Sequence, residues 1–525
     1  MPITSLAPSG AIGLVKDVRP AELPAQAWTT MLNARCADGG VLALPGKVAV
    51  GAAMPQQGIW GVATQDPSSG AAIWLVMGAA KGYAYINGAY TDVTRASGGD
   101  YIGQTLDRWS GGVLGGVPIA NNGRETPQVW LTPAAGNKLV NLANWPADTK
   151  AKSLRTYKQF LVALDVTKSG VRYPTLVKWS HPADPGTVPT SWNEADPTKD
   201  AGEYPLSETA GPVVDSLPLK DTNIIYKTDS VWGMQYIVGE FIFKFFKIFG
   251  DFGMPYRDCA AEFVSGKHIV FTGTDLVVHD GQSSKSIAQG RIRSILRNIT
   301  ENQLPSCYMA VHNQVNEVWF CFRRASDQSA KADTAICYNW ADNTLTMREL
   351  DQLYYITSGK IDPPNISSGS TWADATADWG SNLLAWGESI PVTGNIRLLG
   401  FGASQLYWLD ATPAVAEAVT LEREYLGVVM QSTQPPDMTA MKFVRRIWPR
   451  FTGKVGDVVN ITLGSSDSVA EVTTWKDPQQ FIIGQDTKID CTLSGKLFAL
   501  RITSAGTEQW CLNGVEADVN FLGQN

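Results

Sequence analysis

Apolar residues along most of the chain gather in short runs rich in Val, Ile, Tyr, Phe and Trp. Each run is closed by Gly, Asn or Asp and followed by another, the signature of strand, tight turn, strand. Ile73-Trp74-Leu75-Val76-Met77 is followed by Tyr83-Ala84-Tyr85-Ile86, then Asn87-Gly88, then Tyr90-Thr91-Asp92-Val93. Asn-Gly supplies the two positive φ angles of a type I′ hairpin turn. Similar pairs of runs return at Phe160-Leu161-Val162, Val231-Trp232-Gly233, His268-Ile269-Val270, Glu317-Val318-Trp319 and Leu398-Leu399-Gly400. Their spacing of roughly 30 to 50 residues is that of propeller blades. The runs are nearly continuous rather than alternating, as expected of sheets buried on both faces.

The pattern predicts an all-β chain whose residues 51–425 form a β-propeller of about seven blade-like units. An array of β-sandwiches is the alternative. Only 25–36, 291–299 and 412–421 read as helix, and each is short. After residue 425 the texture changes to longer runs at 441–451, 458–463 and 497–502 between Gly turns. This predicts a C-terminal β-sandwich-like platform over 426–525. Residues 1–50 are then an N-terminal arm packed against it. Proteases are expected to nick near these boundaries, or in the Pro-rich acidic stretch 182–205.

Composition agrees with large buried cores. Of 525 residues 44% are hydrophobic and 18% charged, against about 25% charged in a typical globular protein. With 43 basic and 50 acidic side chains the net charge is −7, which argues against gripping a phosphate backbone by overall charge. The first residues show no basic n-region or apolar core, so no secretory signal is expected. The most apolar window, 231–249, contains Glu240, Lys244 and Lys247 and does not read as a membrane span. Seven scattered cysteines without a CxxC pair read as reduced, buried small hydrophobes.

Candidate chemistry is sparse. The stretches around Asp66 and Asp467 miss the sialidase-type Asp box, the first by a displaced glycine and the second by Val469. No GxSxG, HExxH, GxxxxGK[ST] or GxGxxG stands in a suitable context. His181, His268, His279 and His312 are assigned to separate units. The acidic loop with Glu194, Asp196, Asp200, Glu203 and Glu208 lacks the spacing of a calcium loop and reads as a solvated surface. No catalytic, cofactor or metal site is therefore assigned. Two basic clusters remain as partner-facing candidates. Strict alternation places Lys442, Arg446 and Arg450 on one face of a strand together with Val444 and Trp448; Arg291, Arg293 and Arg297 form the other.

The opening Gly13-Leu14-Val15-Lys16-Asp17, Leu23-Pro24-Ala25-Gln26-Ala27-Trp28, Asn33-Ala34-Arg35 and Asp38-Gly39-Gly40 resembles the start of tail hub, or nozzle, proteins of short-tailed bacteriophages, also described as packaged-DNA stabilisation proteins. Further resemblance lies in Arg155-Thr156-Tyr157-Lys158-Gln159-Phe160, Trp179-Ser180-His181-Pro182, Leu219-Lys220-Asp221, and Arg446 with Pro449-Arg450-Phe451. The resemblance implies a non-enzymatic virion tail component, made in the host cytoplasm. It implies a hexameric ring below the portal and head-to-tail adaptor, contact with a tail fibre or spike, and passage of double-stranded DNA without sequence specificity. It implies no cofactor and no membrane. Abundant Trp and Tyr with low charge would suit subunit contacts. Two other readings stand beside it. One is a carbohydrate-binding or carbohydrate-cleaving propeller tail protein whose exposed Trp residues stack on sugars. The other is a propeller scaffold for intracellular protein partners.

Overall fold

The computed structural model describes residues 3–7, 12–66, 71–237, 241–324, 331–361, 396–411, 417–428, 437–506 and 509–523. It is a seven-bladed β-propeller carrying a two-sheet sandwich. Blades 1 to 6 are four-stranded antiparallel meanders. They begin at the inner strands Trp60–Gln65, Ser110–Leu114, Thr149–Tyr157, Val213–Leu219, Ala260–Val264 and Tyr308–His312. Blade 7 takes Tyr355–Lys360, Ile396–Phe401 and Leu406–Trp408 from late in the chain and Val48–Val50 from near its start. The seven inner strands touch in cyclic order, blade 7 against blade 1 included, so the ring is closed. Pairing the first propeller strand with the last blade seals it without a covalent link. Asn87 and Gly88 carry φ of 51° and 82° between Gly82–Ile86 and Ala89–Asp92, the geometry their sequence demands.

The sandwich is built from both ends of the chain. In one sheet Trp510–Gly523 lies between Met441–Gly453 and Gly40–Ala43, and Ile3–Ala7 also pairs with it. In the other, Leu497–Thr503 lies between Val458–Ser466 and Thr420–Leu426. This second sheet continues through Thr30–Leu32 onto the outer strand of blade 6, Thr344–Leu353. One apolar core runs without a break from the sandwich through blades 4, 5 and 6. Gly13 shows how close the modules come. Its φ is +79°, and a Cβ there would stand 2.5 Å from the Leu345 carbonyl oxygen of blade 6.

Three expectations change. Val48–Val50 is a propeller strand, although residues 1–50 were assigned to the arm, and Thr420–Leu426 is a sandwich strand, although the propeller was expected to reach 425. Residues 25–36 are not a helix. They form Ala27–Trp28, Thr30–Leu32 and Ala34–Ala37, broken at Asn33. Asn33 sits at φ 55° with its amide donating to the Ala418 carbonyl and accepting from the Glu349 N–H. These long-range bonds override the local apolar spacing. A one-turn helix does form at Arg293–Arg297. Of the expected helix 412–421, residues 412–416 lie outside the described residues and Thr420 begins a strand.

A buried ion network clasps the two modules. Arg35 of the sandwich donates to both oxygens of Glu317 in blade 6, at 2.6 and 2.8 Å, and to Asp410 after blade 7 at 2.5 Å. Asp410 is also held by Arg348, whose guanidinium lies 4.6 Å above the Trp319 ring. Glu317 accepts the Trp319 indole N–H at 2.9 Å. The surrounding cations hold Asp410 far below the usual carboxylate range.

Candidate functional site

The strand Met441–Gly453 does not keep Lys442, Arg446 and Arg450 on one face. Its register shifts between Val444 and Arg446 against both neighbouring strands. The bulge adds a residue and exchanges the two faces. Lys442 and Val444 point inward before it, Ile447 and Pro449 after it. Lys442 is fully buried, donates to the carbonyls of Ala440 and Lys496 at 2.9 Å each, and has its pKa lowered by desolvation. It is a structural ammonium, not a partner contact. Arg446 and Arg450 do share the outer face, each beside a carboxylate of an adjacent strand. Arg446 Nε lies 3.6 Å from Asp490, and Arg450 donates to Glu516 at 2.6 Å. The outer face therefore alternates in charge.

The second cluster is likewise divided. The Arg293 guanidinium pairs with Asp275, and Arg291 is half-buried with its carbonyl accepting the N–H groups of Lys16 and Asp17. The Asp17 carboxylate accepts in turn from the N–H groups of Arg293 and Ser294, at 2.8 and 2.9 Å. Of the three arginines only Arg297 is exposed. The cluster fastens the N-terminal segment to the end of blade 5.

The acidic loop is solvated as expected, with Glu194 and Glu208 exposed, and it is also pinned. Lys178, with 2% of its side chain exposed, donates to Glu194 at 2.5 Å and to Glu203 at 3.2 Å, and Lys168 also pairs with Glu203. Asp196 accepts from Thr198, while Trp192 is buried against Trp145 at 4.7 Å. The histidines are not all separate either. The Tyr226 hydroxyl of blade 4 lies 2.8 Å from both His268 Nδ1 and His279 Nε2 of blade 5. His268 Nε2 meets the Pro218 carbonyl at 2.8 Å and must carry the proton. Tyr226 then donates to His268 and accepts from His279, whose Nδ1 is left without a partner. All three side chains are buried, and desolvation pushes the His279 pKa down to about 4.

An aromatic blade edge, unnoticed in the sequence, is the feature open to a partner. Trp179 and Tyr204 of blade 3 meet Phe243 and Phe245 of blade 4. Ring centroids are 5.3 Å apart for Trp179 and Phe243, and 5.8 Å for Trp179 and Phe245. Tyr204 stacks on Phe245 at 4.8 Å and 7°, and Tyr236 lies 5.8 Å from Phe243. Tyr204 and Tyr236 are 43% and 38% exposed, and Phe241 near the hairpin tip is 69% exposed. Among the described residues no strand pairs with the free edge of the outer strand Phe243–Phe249, along which Lys244 and Lys247 are exposed. Tryptophan behaves differently: every described Trp is buried or half-buried, many of them packed inside blades or between them. The sequence signal was in the run Phe241-Ile242-Phe243-Lys244-Phe245-Phe246, too apolar for the outermost strand of a blade.

All seven cysteines are free thiols, five of them buried. Among the described residues no group of three or more His, Cys, Asp or Glu is arranged to hold a metal ion. No described helix is long and apolar enough to cross a membrane. No protein-family model matches the sequence. A search of curated proteins finds no relative. Among solved structures the chain is similar in fold to YCF48 from Cyanidioschyzon merolae, at 8% identity and a TM-score of 0.38, covering 69% of this chain and 99% of that one. PorZ, a bacterial surface component of the type-IX secretion system of Porphyromonas gingivalis, matches at 7% identity and TM-score 0.34 over 73% of this chain. Chaetomium thermophilum Raptor matches at 7% identity and TM-score 0.39 over 70%. The chain spans 43% of the PorZ chain and 29% of the Raptor chain. Superpositions this loose transfer no function.

Proposed function

We propose that this chain is a structural virion protein of the nozzle type, one copy in a ring below the portal and adaptor of a short-tailed phage, six copies by the family resemblance. The ring encloses the DNA exit channel and helps retain packaged DNA, and no catalytic step is assigned to it. The observation that carries the reading is the aromatic edge of blades 3 and 4. Tyr204, Tyr236 and Phe241 leave apolar surface open, and such patches are characteristic of protein interfaces. The occupant is the neighbouring copy in the ring. The platform made from both chain ends, clasped to blades 6 and 7 through Arg35, suits a subunit mounted between fixed neighbours. A net charge of −7 suits a wall past which DNA must slide.

The carbohydrate-binding alternative calls for exposed tryptophans, and none of the described ones is exposed. The double substitution Tyr204→Ser with Tyr236→Ser tests the proposal, since both side chains reach solvent. Ring formation on a portal–adaptor complex should weaken by at least about 30-fold, the effect of one interface hot spot of about 2 kcal/mol. Thermal stability should change little. Assembly at the wild-type level would remove this edge from the subunit contact, and glycan-array binding lost in the same variant would favour the carbohydrate reading.

A further inference from the structure

The propeller axis holds a cavity of about 430 Å³, lined by the inner strands of blades 2 to 7. Small side chains line it, Ser216, Ala260 and Ala310 among them. Its volume is in the range of small-molecule sites. One end is closed by charge. Arg155 donates from Nε and Nη2 to the two oxygens of Asp215, at 2.6 and 2.5 Å, and again from Nη2 to Asp258 at 2.6 Å. Asp215 is saturated further by the Ser153 hydroxyl and by the N–H groups of Ser216 and Asp258. Asp258 Oδ2 lies 3.8 Å from Nε of the buried Arg108. Arg257, also buried, donates to the Lys152 carbonyl at 2.9 Å.

Three guanidinium groups, Arg108, Arg155 and Arg257, thus surround two carboxylates. Buried charge of one sign is costly unless something pairs with it. Glu262 also lines the cavity, but it stands four residues beyond Asp258, about 13 Å along an extended strand. Its carboxylate is exposed and accepts from the Gly266 N–H at 3.1 Å. It does not neutralise the closed end. Several donors are left over in the cluster, Arg108 Nε and Nη1 and Arg257 Nε among them, and two more belong to residues that line the cavity, Arg155 and Ser216. Arg155 Nη1 makes no hydrogen bond among the described residues, and 16% of the Arg155 side chain is accessible. The Ser216 hydroxyl is buried without a partner.

We infer that the axial cavity is a binding site for a small oxyanion, a carboxylate or phosphoryl group received by Arg155 Nη1, with the Ser216 hydroxyl turning out from its closed position to donate the second hydrogen bond. A planar guanidinium is suited to both groups. The remaining volume accommodates a small organic body behind the anionic head. This site is independent of the ring contact, since the aromatic edge is on the outer strands and the cavity on the inner ones.

Isothermal titration of the full chain with inorganic phosphate, acetate and chloride tests it. Phosphate or acetate should saturate one site per chain while chloride gives no saturable heat, and the stronger of the two identifies the head group. Ser216→Ala should weaken binding by about 5- to 10-fold, the effect of one hydrogen bond. Ala310→Leu, which fills the cavity from the opposite wall without touching Arg155, should abolish it. Arg155→Lys keeps the charge opposite Asp215, and should weaken binding at least as much as Ser216→Ala. Folding of each variant is read from its thermal melt. Absence of saturable binding to the folded wild-type chain would overturn the inference. So would chloride binding as well as the oxyanions, or wild-type affinity in folded Ser216→Ala and Ala310→Leu.

Discussion

Replacing Arg35 by Leu removes the cation that joins the sandwich to blades 6 and 7. The substitution deletes three charge-assisted hydrogen bonds, two to Glu317 and one to Asp410. Asp410 keeps Arg348, and among the described residues Glu317 keeps only the Trp319 indole, with 3% of its side chain exposed. A carboxylate stranded in this way is the costly case for a buried ion pair, about 3–5 kcal/mol. Part of that cost should vanish in the double variant Arg35→Leu, Glu317→Gln, because no unpaired charge then remains at residue 317. The assay is urea unfolding followed by tryptophan fluorescence, with hydrogen exchange on Ala34–Ala37 and Gly40–Ala43. These two strands should exchange well before the blades in the single variant, since they lose their ion-paired tie to the propeller. A loss below about 1 kcal/mol would refute a clasp of this strength. A double variant less stable than the single one would refute the stranded-charge explanation.

Acid should weaken the interface of blades 4 and 5. His279 titrates near 4 when folded and near 6.5 when unfolded. Between those values the unfolded chain binds the proton first, so stability is full above about pH 6.5 and falls by about 3 kcal/mol as the pH drops to 4. Chemical denaturation across that range checks this, and His279→Phe should flatten the slope; an unchanged slope would remove His279 as its source. Tyr226→Phe should cost about 2–4 kcal/mol by leaving ring nitrogens of His268 and His279 unsatisfied, read from the same unfolding curves. Arg450→Glu should leave the melting temperature within a degree or two, because its pair with Glu516 is exposed, whereas attachment to the portal complex should fall if this face meets a partner. Lys442→Met should lower the melting temperature clearly, since two buried carbonyls lose their donor. Limited proteolysis should spare 182–205, where Trp192, Lys168 and Lys178 pin the loop; early cleavage there would contradict the packing.

The propeller was readable in the sequence because each blade repeats a local signal, apolar runs ended by turn residues. Asn87-Gly88 is the plainest case, where residue type alone dictates backbone geometry. What escaped depends on long-range partners. Residues 25–36 carry helical apolar spacing, but Asn33 bonds to Ala418 and Glu349, more than 300 residues away. Lys442 was misplaced because one bulge at Arg445 reverses the faces of a strand, and nothing local marks that bulge. Val48–Val50 looked like part of the arm, since its partner Leu406–Trp408 is distant in the chain. The aromatic edge shows in the sequence only as the over-apolar run at Phe241 to Phe246, whereas its blade 3 half and the axial cavity are assembled from separate blades and have no contiguous signature. Tyr226, His268 and His279 meet only because blades 4 and 5 are adjacent.

The ring is tested most directly by mass photometry and negative-stain class averages of the purified chain, alone and with its portal–adaptor complex. Assembly on that platform should add six times the 56.8 kDa chain mass and show a ring with a central hole. A chain that stays monomeric with every neighbour supplied would contradict the account.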